Sequence, residues 1–125
     1  MPNRKIVYIV DDDASILDSV QSLLRSYGYR TQAFASAQAF EDHTNFNNAL
    51  CIVLDINLND GFSGIDMMHQ LKSAGISVPF VYMTGNDDPA VRMVALESGC
   101  LAYLTKPFSA ESLIESLTKA SQGLA

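Results

Sequence analysis

The chain has 125 residues and carries 8 Lys+Arg against 14 Asp+Glu, a formal net charge of −6. With 48% hydrophobic and 18% charged residues it is globular in composition and long enough for one core, not a disordered segment. The acidic balance leaves no surplus cation to displace counterions, which argues against direct nucleic-acid binding, and no apolar run approaches the ~18 residues of a membrane span. The start, Met1-Pro2-Asn3-Arg4-Lys5, leads into only five apolar residues, too few for a signal-peptide core. Cys51 and Cys100 lack CxxC spacing and lie in apolar stretches. They read as buried free thiols of a cytoplasmic protein.

Apolar runs alternate with helix-period segments. Ile6 to Val10 is a continuous apolar run, as expected of a strand buried on both faces. Ile16, Val20, Leu23, Leu24 and Tyr27 then form one helical stripe that stops at Gly28. Thr31 to Phe34 is a short second strand, and Ser36 caps a weak helix reaching about His43. Cys51 to Leu54 is a third strand ending in Asp55. Ser63, with Asp66 three residues on, starts a helix carrying Ile65, Met68 and Leu71 that ends at Gly75. Phe80 to Met83 is a fourth strand. Asp88-Pro89 reads as an N-cap followed by proline in the first turn, and that helix runs to Gly99. Leu101 to Leu104 is a fifth strand, and Ser109 caps a last helix with Leu113, Ile114 and Leu117. The residues from Ser121 onward read as a loose end.

Five βα units with such apolar strands predict a parallel sheet covered by helices on both faces, an α/β doubly wound flavodoxin-like fold of order 2-1-3-4-5. Ligands of such sheets sit beyond the carboxyl ends of the strands, near the switch point between strands 1 and 3. There strand 1 ends in Asp11-Asp12-Asp13, strand 3 in Asp55 and strand 4 in Thr84, while strand 5 leads to Lys106. Asp13 reads as the cap of the first helix. Asp11, Asp12 and Asp55 would crowd and repel unless a hard divalent cation such as Mg²⁺ and the Lys106 ammonium compensate them. That arrangement suits a tetrahedral anion beside Asp55, with the Thr84 hydroxyl on one of its oxygens. Asp55 would then be the nucleophile of a phosphoryl transfer that forms an acyl phosphate.

Four motifs recur together, each ending its own strand: Val10-Asp11-Asp12, Leu54-Asp55, Met83-Thr84-Gly85 and Lys106-Pro107-Phe108. In this combination the chain resembles the CheY-like receiver domain of two-component response regulators, most closely the FixJ subgroup, from Lys5 to about Ala120. The resemblance implies that Asp55 is the phosphoacceptor. It implies that Asp11, Asp12, Asp55 and the backbone carbonyl of Asn57 hold Mg²⁺, for which Mn²⁺ can substitute. Thr84 and Lys106 would contact the phosphoryl group, Tyr103 would be the switch aromatic, and Lys106-Pro107 would be a cis peptide. It further implies a donor phosphohistidine on a histidine kinase or histidine phosphotransfer domain, self-dephosphorylation, and output through the face of helix 4, strand 5 and helix 5. That face could serve a downstream protein or a homodimer.

The chain departs from the family in the loop after the acceptor, where Asn59 replaces the usual proline and Asp60-Gly61-Phe62-Ser63-Gly64 carries one extra residue. A longer, less rigid loop is expected. Asn57 and Asn86, each two residues beyond Asp55 and Thr84, are read as tuning the lifetime of the acyl phosphate. The methionines read as core and surface filler, and His43 and His69 as isolated surface residues. A haloacid-dehalogenase-type hydrolase is the competing enzyme reading, but it needs D-x-D where this chain has Asp55-Ile56-Asn57. A receiver that only binds partners is disfavoured because all the chemical groups are present. The chain is thus expected to be a single receiver domain with no output module, either stand-alone or excised from a longer regulator.

Overall fold

The computed structural model describes residues 5–42, 46, 48–58 and 63–122. Strands and helices alternate as β1 (Ile6–Val10), α1 (Ala14–Ser26), β2 (Arg30–Phe34), α2 (Ala37–Glu41), β3 (Ala49–Asp55), α3 (Gly64–Ser73), β4 (Phe80–Thr84), α4 (Pro89–Glu97), β5 (Ala102–Thr105) and α5 (Ala110–Ser121). All strand pairs are parallel and the sheet order is β2-β1-β3-β4-β5. The doubly wound arrangement anticipated from the apolar runs is therefore the one observed.

The two faces of the sheet divide the core. Val7, Ile9, Cys51, Val53, Val81 and Met83 point to one side, where Leu17, Val20 and Leu24 of α1 and Leu113 and Leu117 of α5 cover them. The intervening Tyr8, Val10, Ile52, Leu54, Phe80 and Tyr82 point to the other side, under α2, α3 and α4. This alternation explains the unbroken apolar runs: both strand faces are inside, so neither tolerates a polar residue. Short α2 is held by Phe40, fully buried and edge-on to Tyr8, Phe34 and Phe46 at centroid separations of 5.4 to 6.0 Å.

The helix boundaries follow their local chemistry. Asp13 accepts from the amides of Ser15 and Ile16, and Asp88 accepts from that of Ala90 ahead of Pro89. Ser36 and Ser109 also act as caps. Ser63 caps α3 through Ile65, one residue earlier than the Ser63–Asp66 spacing suggested. Gly28 and Gly75, at φ of +89° and +85°, take the left-handed turn that ends α1 and α3.

Several boundaries differ from the sequence reading. β3 begins two residues earlier than Cys51, because Ala49 pairs with Ile6 before a register shift. β5 runs one residue later, since Thr105 pairs with Thr84. Ser121 belongs to α5 and is not a loose end. Cys51 is fully buried, but Cys100 is only half-buried, because it follows the left-handed turn at the rim of the sheet rather than lying in a strand. Met67, Met68 and Met83 are core residues, Met93 is exposed, and His69 is on the surface. The expectations for His43, for Asn59 to Phe62 and for the last three residues lie outside the described residues. Among the described residues, no helix is long and apolar enough to cross a membrane.

Candidate phosphoryl-transfer site

Backbone bonds just past the strands tie the carboxyl end of β1 to β2 and those of β3 and β5 to β4 between them. The Asp11 amide donates to the Phe34 carbonyl, Ile56 to Met83 and Lys106 to Thr84, at 2.7 to 3.1 Å. These bonds hold the strand ends level, so side chains from opposite ends of the sequence meet there. The Lys106 ammonium lies 2.8 Å from Asp11 Oδ2 and 3.0 Å from Asp55 Oδ2. The second oxygens are also engaged: Asp11 Oδ1 accepts from the Asp13 amide and Asp55 Oδ1 from the Asn57 amide. The Lys106–Pro107 peptide that follows the lysine is cis.

Asp11 is fully buried, Asp55 nearly so, and Asp12 half-buried. Ligand oxygens of these three carboxylates lie within 4.8 Å of one another. Burial pushes the Asp55 carboxyl above its ordinary 3.8, and the nearby Asp11 adds to this; the Asn57 amide and Lys106 oppose the rise. Burial works against the Lys106 ammonium as well, yet its contacts with Asp11 and Asp55 outweigh that and raise it above 10.5. The two directions have different causes: loss of water raises the Asp55 carboxyl, and the paired carboxylates raise the Lys106 ammonium.

Three carboxylates against one ammonium leave about two surplus negative charges in a mostly buried site. An all-oxygen donor set with that charge could hold a hard divalent ion such as Mg²⁺ or Mn²⁺. Asn57 stands at the rim, its backbone bridged to Ser63, and the Asn57 and Asn86 side chains are exposed.

Two of the anticipated residues do not reach this cluster. Thr84 is buried, but its hydroxyl donates to the Asn86 carbonyl and accepts from the Asn86 amide, both at 3.1 Å. The Tyr103 hydroxyl points away and donates to Asp87 Oδ1 at 3.2 Å, with the Arg92 guanidinium over its ring.

Three residues at the site went unread in the sequence. Gly64 begins α3 directly against the end of β3, and its amide donates to the Ile56 carbonyl at 2.8 Å. A β-carbon there would collide with the Asp55 carbonyl oxygen. A glycine just after the Ser63 cap was the available signal. Asp87 and Arg92 carried no signal, because the tyrosine they contact comes from a different strand.

Known proteins resemble this chain in sequence and in fold. The model of the response regulator receiver domain family matches residues 7–118. Response regulator protein TodT of Pseudomonas putida is 33% identical over 115 residues, covering 92% of this chain and 50% of that protein. Transcriptional regulatory protein FixJ of Bradyrhizobium diazoefficiens is 33% identical over 113 residues, covering 90% and 55%. The chain thus spans about half the length of these curated relatives. A response regulator receiver protein from Pseudoalteromonas atlantica superposes with a TM-score of 0.89 at 23% identity, covering 96% of this chain and 99% of that one, a likeness of fold. The chain belongs to the receiver domain family of two-component response regulators, a signalling family rather than one of conventional enzymes.

Proposed function

We propose that Asp55 accepts a phosphoryl group from a phosphohistidine in a Mg²⁺-dependent reaction. The observation that carries this reading is the Lys106 ammonium bridging the buried Asp55 to Asp11, with the Asp12 carboxylate alongside. An Asp55 carboxylate oxygen forms a bond to phosphorus as the phosphorus–nitrogen bond breaks, and the imidazole leaves with that electron pair. Lys106 follows the charge onto the phosphoryl oxygens, and Thr84 donates its hydroxyl to one of them. The carboxylates of Asp11, Asp12 and Asp55 and the Asn57 carbonyl would hold the ion. Mg²⁺, for which Mn²⁺ can substitute, supplies neutralisation of the charge on the transferring oxygens.

The donor would be a histidine kinase or a histidine phosphotransfer domain in the cytoplasm. A groove of about 280 Å³ between α1 and the β5–α5 turn supports its approach. The groove is lined by Ile16, Val20, Leu23, Pro107 and Phe108 and includes Lys106 itself. Return to the resting state needs water to attack phosphorus and release the Asp55 carboxylate. The exposed Asn57 and Asn86 amides at the rim would set the access of that water and so the lifetime. Output would run through α4, β5 and α5, where Met93, Val94 and Leu96 are exposed, toward a downstream protein or a second copy of the chain. We assign the chain one receiver domain and no direct role in nucleic-acid binding.

The test is intact mass spectrometry after acetyl phosphate treatment, with and without Mg²⁺. One Mg²⁺-dependent phosphoryl group on the wild type and none on Asp55→Asn is expected. Label that persists in Asp55→Asn, or that ignores Mg²⁺, overturns the reading.

A further inference from the structure

Tyr103, Asp87 and Arg92 form a closed triangle beside the site. The Tyr103 hydroxyl donates to Asp87 Oδ1 at 3.2 Å, and Asp87 Oδ2 pairs with Arg92 Nη1 at 3.4 Å. The Arg92 guanidinium carbon stands 5.4 Å from the centre of the Tyr103 ring. The ring is half-buried against the core that includes Tyr82 and Ala95, and the guanidinium lies over it. Two corners of the triangle belong to the β4–α4 loop and the first turn of α4, and the third to β5. An inward turn of Tyr103 must break both of its contacts.

The loop that carries Asp87 is itself shaped by Thr84, whose hydroxyl holds the amide and the carbonyl of Asn86 together. A hydroxyl has one proton to donate. Given to a phosphoryl oxygen on Asp55, that proton is withdrawn from the Asn86 carbonyl, and the residue preceding Asp87 loses its tether. At its other end α4 is pinned differently. Lys72 donates to the Ser98 carbonyl, and the Tyr82 hydroxyl lies 3.3 Å from Ser98 Oγ. Between the ends Ala95 is the buried residue of the helix, so α4 is held more by its termini than by its packing.

We propose that Asp87 and Arg92 form an autoinhibitory latch that holds Tyr103 outward in the resting protein, and that withdrawal of the Thr84 hydroxyl from Asn86 opens it. The latch frees the N-terminal end of α4 while Ser98 stays anchored. This rests on the reading of Asp55 as the phosphoacceptor and adds the contact that keeps the unphosphorylated state inactive. The contacts are exposed ones, so removing either partner should shift the resting equilibrium roughly 2- to 10-fold. Linkage requires the same factor in the affinity for a phosphoryl mimic at Asp55.

The experiment uses protein labelled with fluorotyrosine, with the Tyr103 resonance assigned through Tyr103→Phe. Beryllofluoride with Mg²⁺ is the phosphoryl mimic, and a soluble gadolinium chelate reports ring exposure by broadening. Without any ligand, Asp87→Ala and Arg92→Gln should each reduce the broadening of Tyr103, and each should tighten beryllofluoride binding by the same roughly 2- to 10-fold. Asp87→Asn, which keeps an acceptor and loses the charge, should fall between them and the wild type. Thermal midpoints near the wild-type value confirm that the variants fold, as expected of exposed substitutions. Unchanged broadening and unchanged affinity in these variants overturn the latch while the acceptor reading stands. If the wild type itself ignores beryllofluoride, the acceptor reading falls. The Thr84 trigger falls with it, and the ligand-free broadening decides whether Asp87 and Arg92 hold Tyr103 outward: reduced supports that contact, unchanged or increased overturns it.

Discussion

Lys106→Met removes the ammonium from between two buried carboxylates and keeps most of the side-chain stem. The ammonium lies 2.8 Å from Asp11 and 3.0 Å from Asp55, and the three side chains are only 18%, 0% and 8% exposed. At an effective dielectric of about 20, each contact amounts to roughly 5–6 kcal/mol of gross attraction, before the cost of desolvating the ions. The carboxylates left behind, within 4.8 Å of each other, repel by about 3 kcal/mol on the same scale. Protonation limits the loss. Neutralising one aspartate at about pH 7 costs about 1.4 kcal/mol per pH unit over roughly three units, a ceiling of about 4 kcal/mol. A net destabilisation of about 3 kcal/mol is therefore expected in chelator. In urea it appears as a midpoint lowered by roughly 1.5–2 M.

The pH dependence carries a definite sign. In the variant the surviving carboxyl has a folded pKa above its unfolded one, so the folded state binds the proton more tightly. The deficit relative to wild type is then full near neutrality and shrinks as pH falls through the raised value. Millimolar Mg²⁺ should narrow the gap, because the ion takes over the compensation and binds only the folded site. A variant within about 0.5 kcal/mol of wild type in chelator near pH 7 would refute the reasoning, since breaking the buried ion pair would then carry no penalty.

Gly64→Ala should destabilise the protein by about 1–3 kcal/mol and slow acetyl phosphate labelling, because the added methyl group meets the Asp55 carbonyl; urea melts and mass spectrometry check both. Burial raises the Asp55 carboxyl, so in chelator its carboxyl-carbon resonance, assigned through Asp55→Asn, should reach half its titration shift at a pH above 3.8 as acid is added. A half-point at or below that value counts against the burial argument. Burial pushes the Cys51 thiol up to about 12, whereas Cys100 is half-buried. A maleimide should therefore modify Cys100 in the native protein and reach Cys51 only on unfolding; equal rates would contradict this.

The amino-acid sequence by itself determined the order of elements, most of the helix caps and the set of groups at the strand ends. Strands buried on both faces must be apolar throughout, caps act within three residues, and parallel crossovers leave few topologies. Asp11, Asp12, Asp55 and Lys106 were legible for that reason: each follows directly from the end of a strand. The tertiary structure alone decided what those groups contact. The shared ammonium joins residues 95 positions apart. The Thr84 hydroxyl chose the Asn86 backbone over the acidic cluster, and Tyr103 chose Asp87 and Arg92. Side-chain orientation at a site depends on which partners the sheet brings within about 3 Å, and no local pattern of residues encodes a distance between two strands.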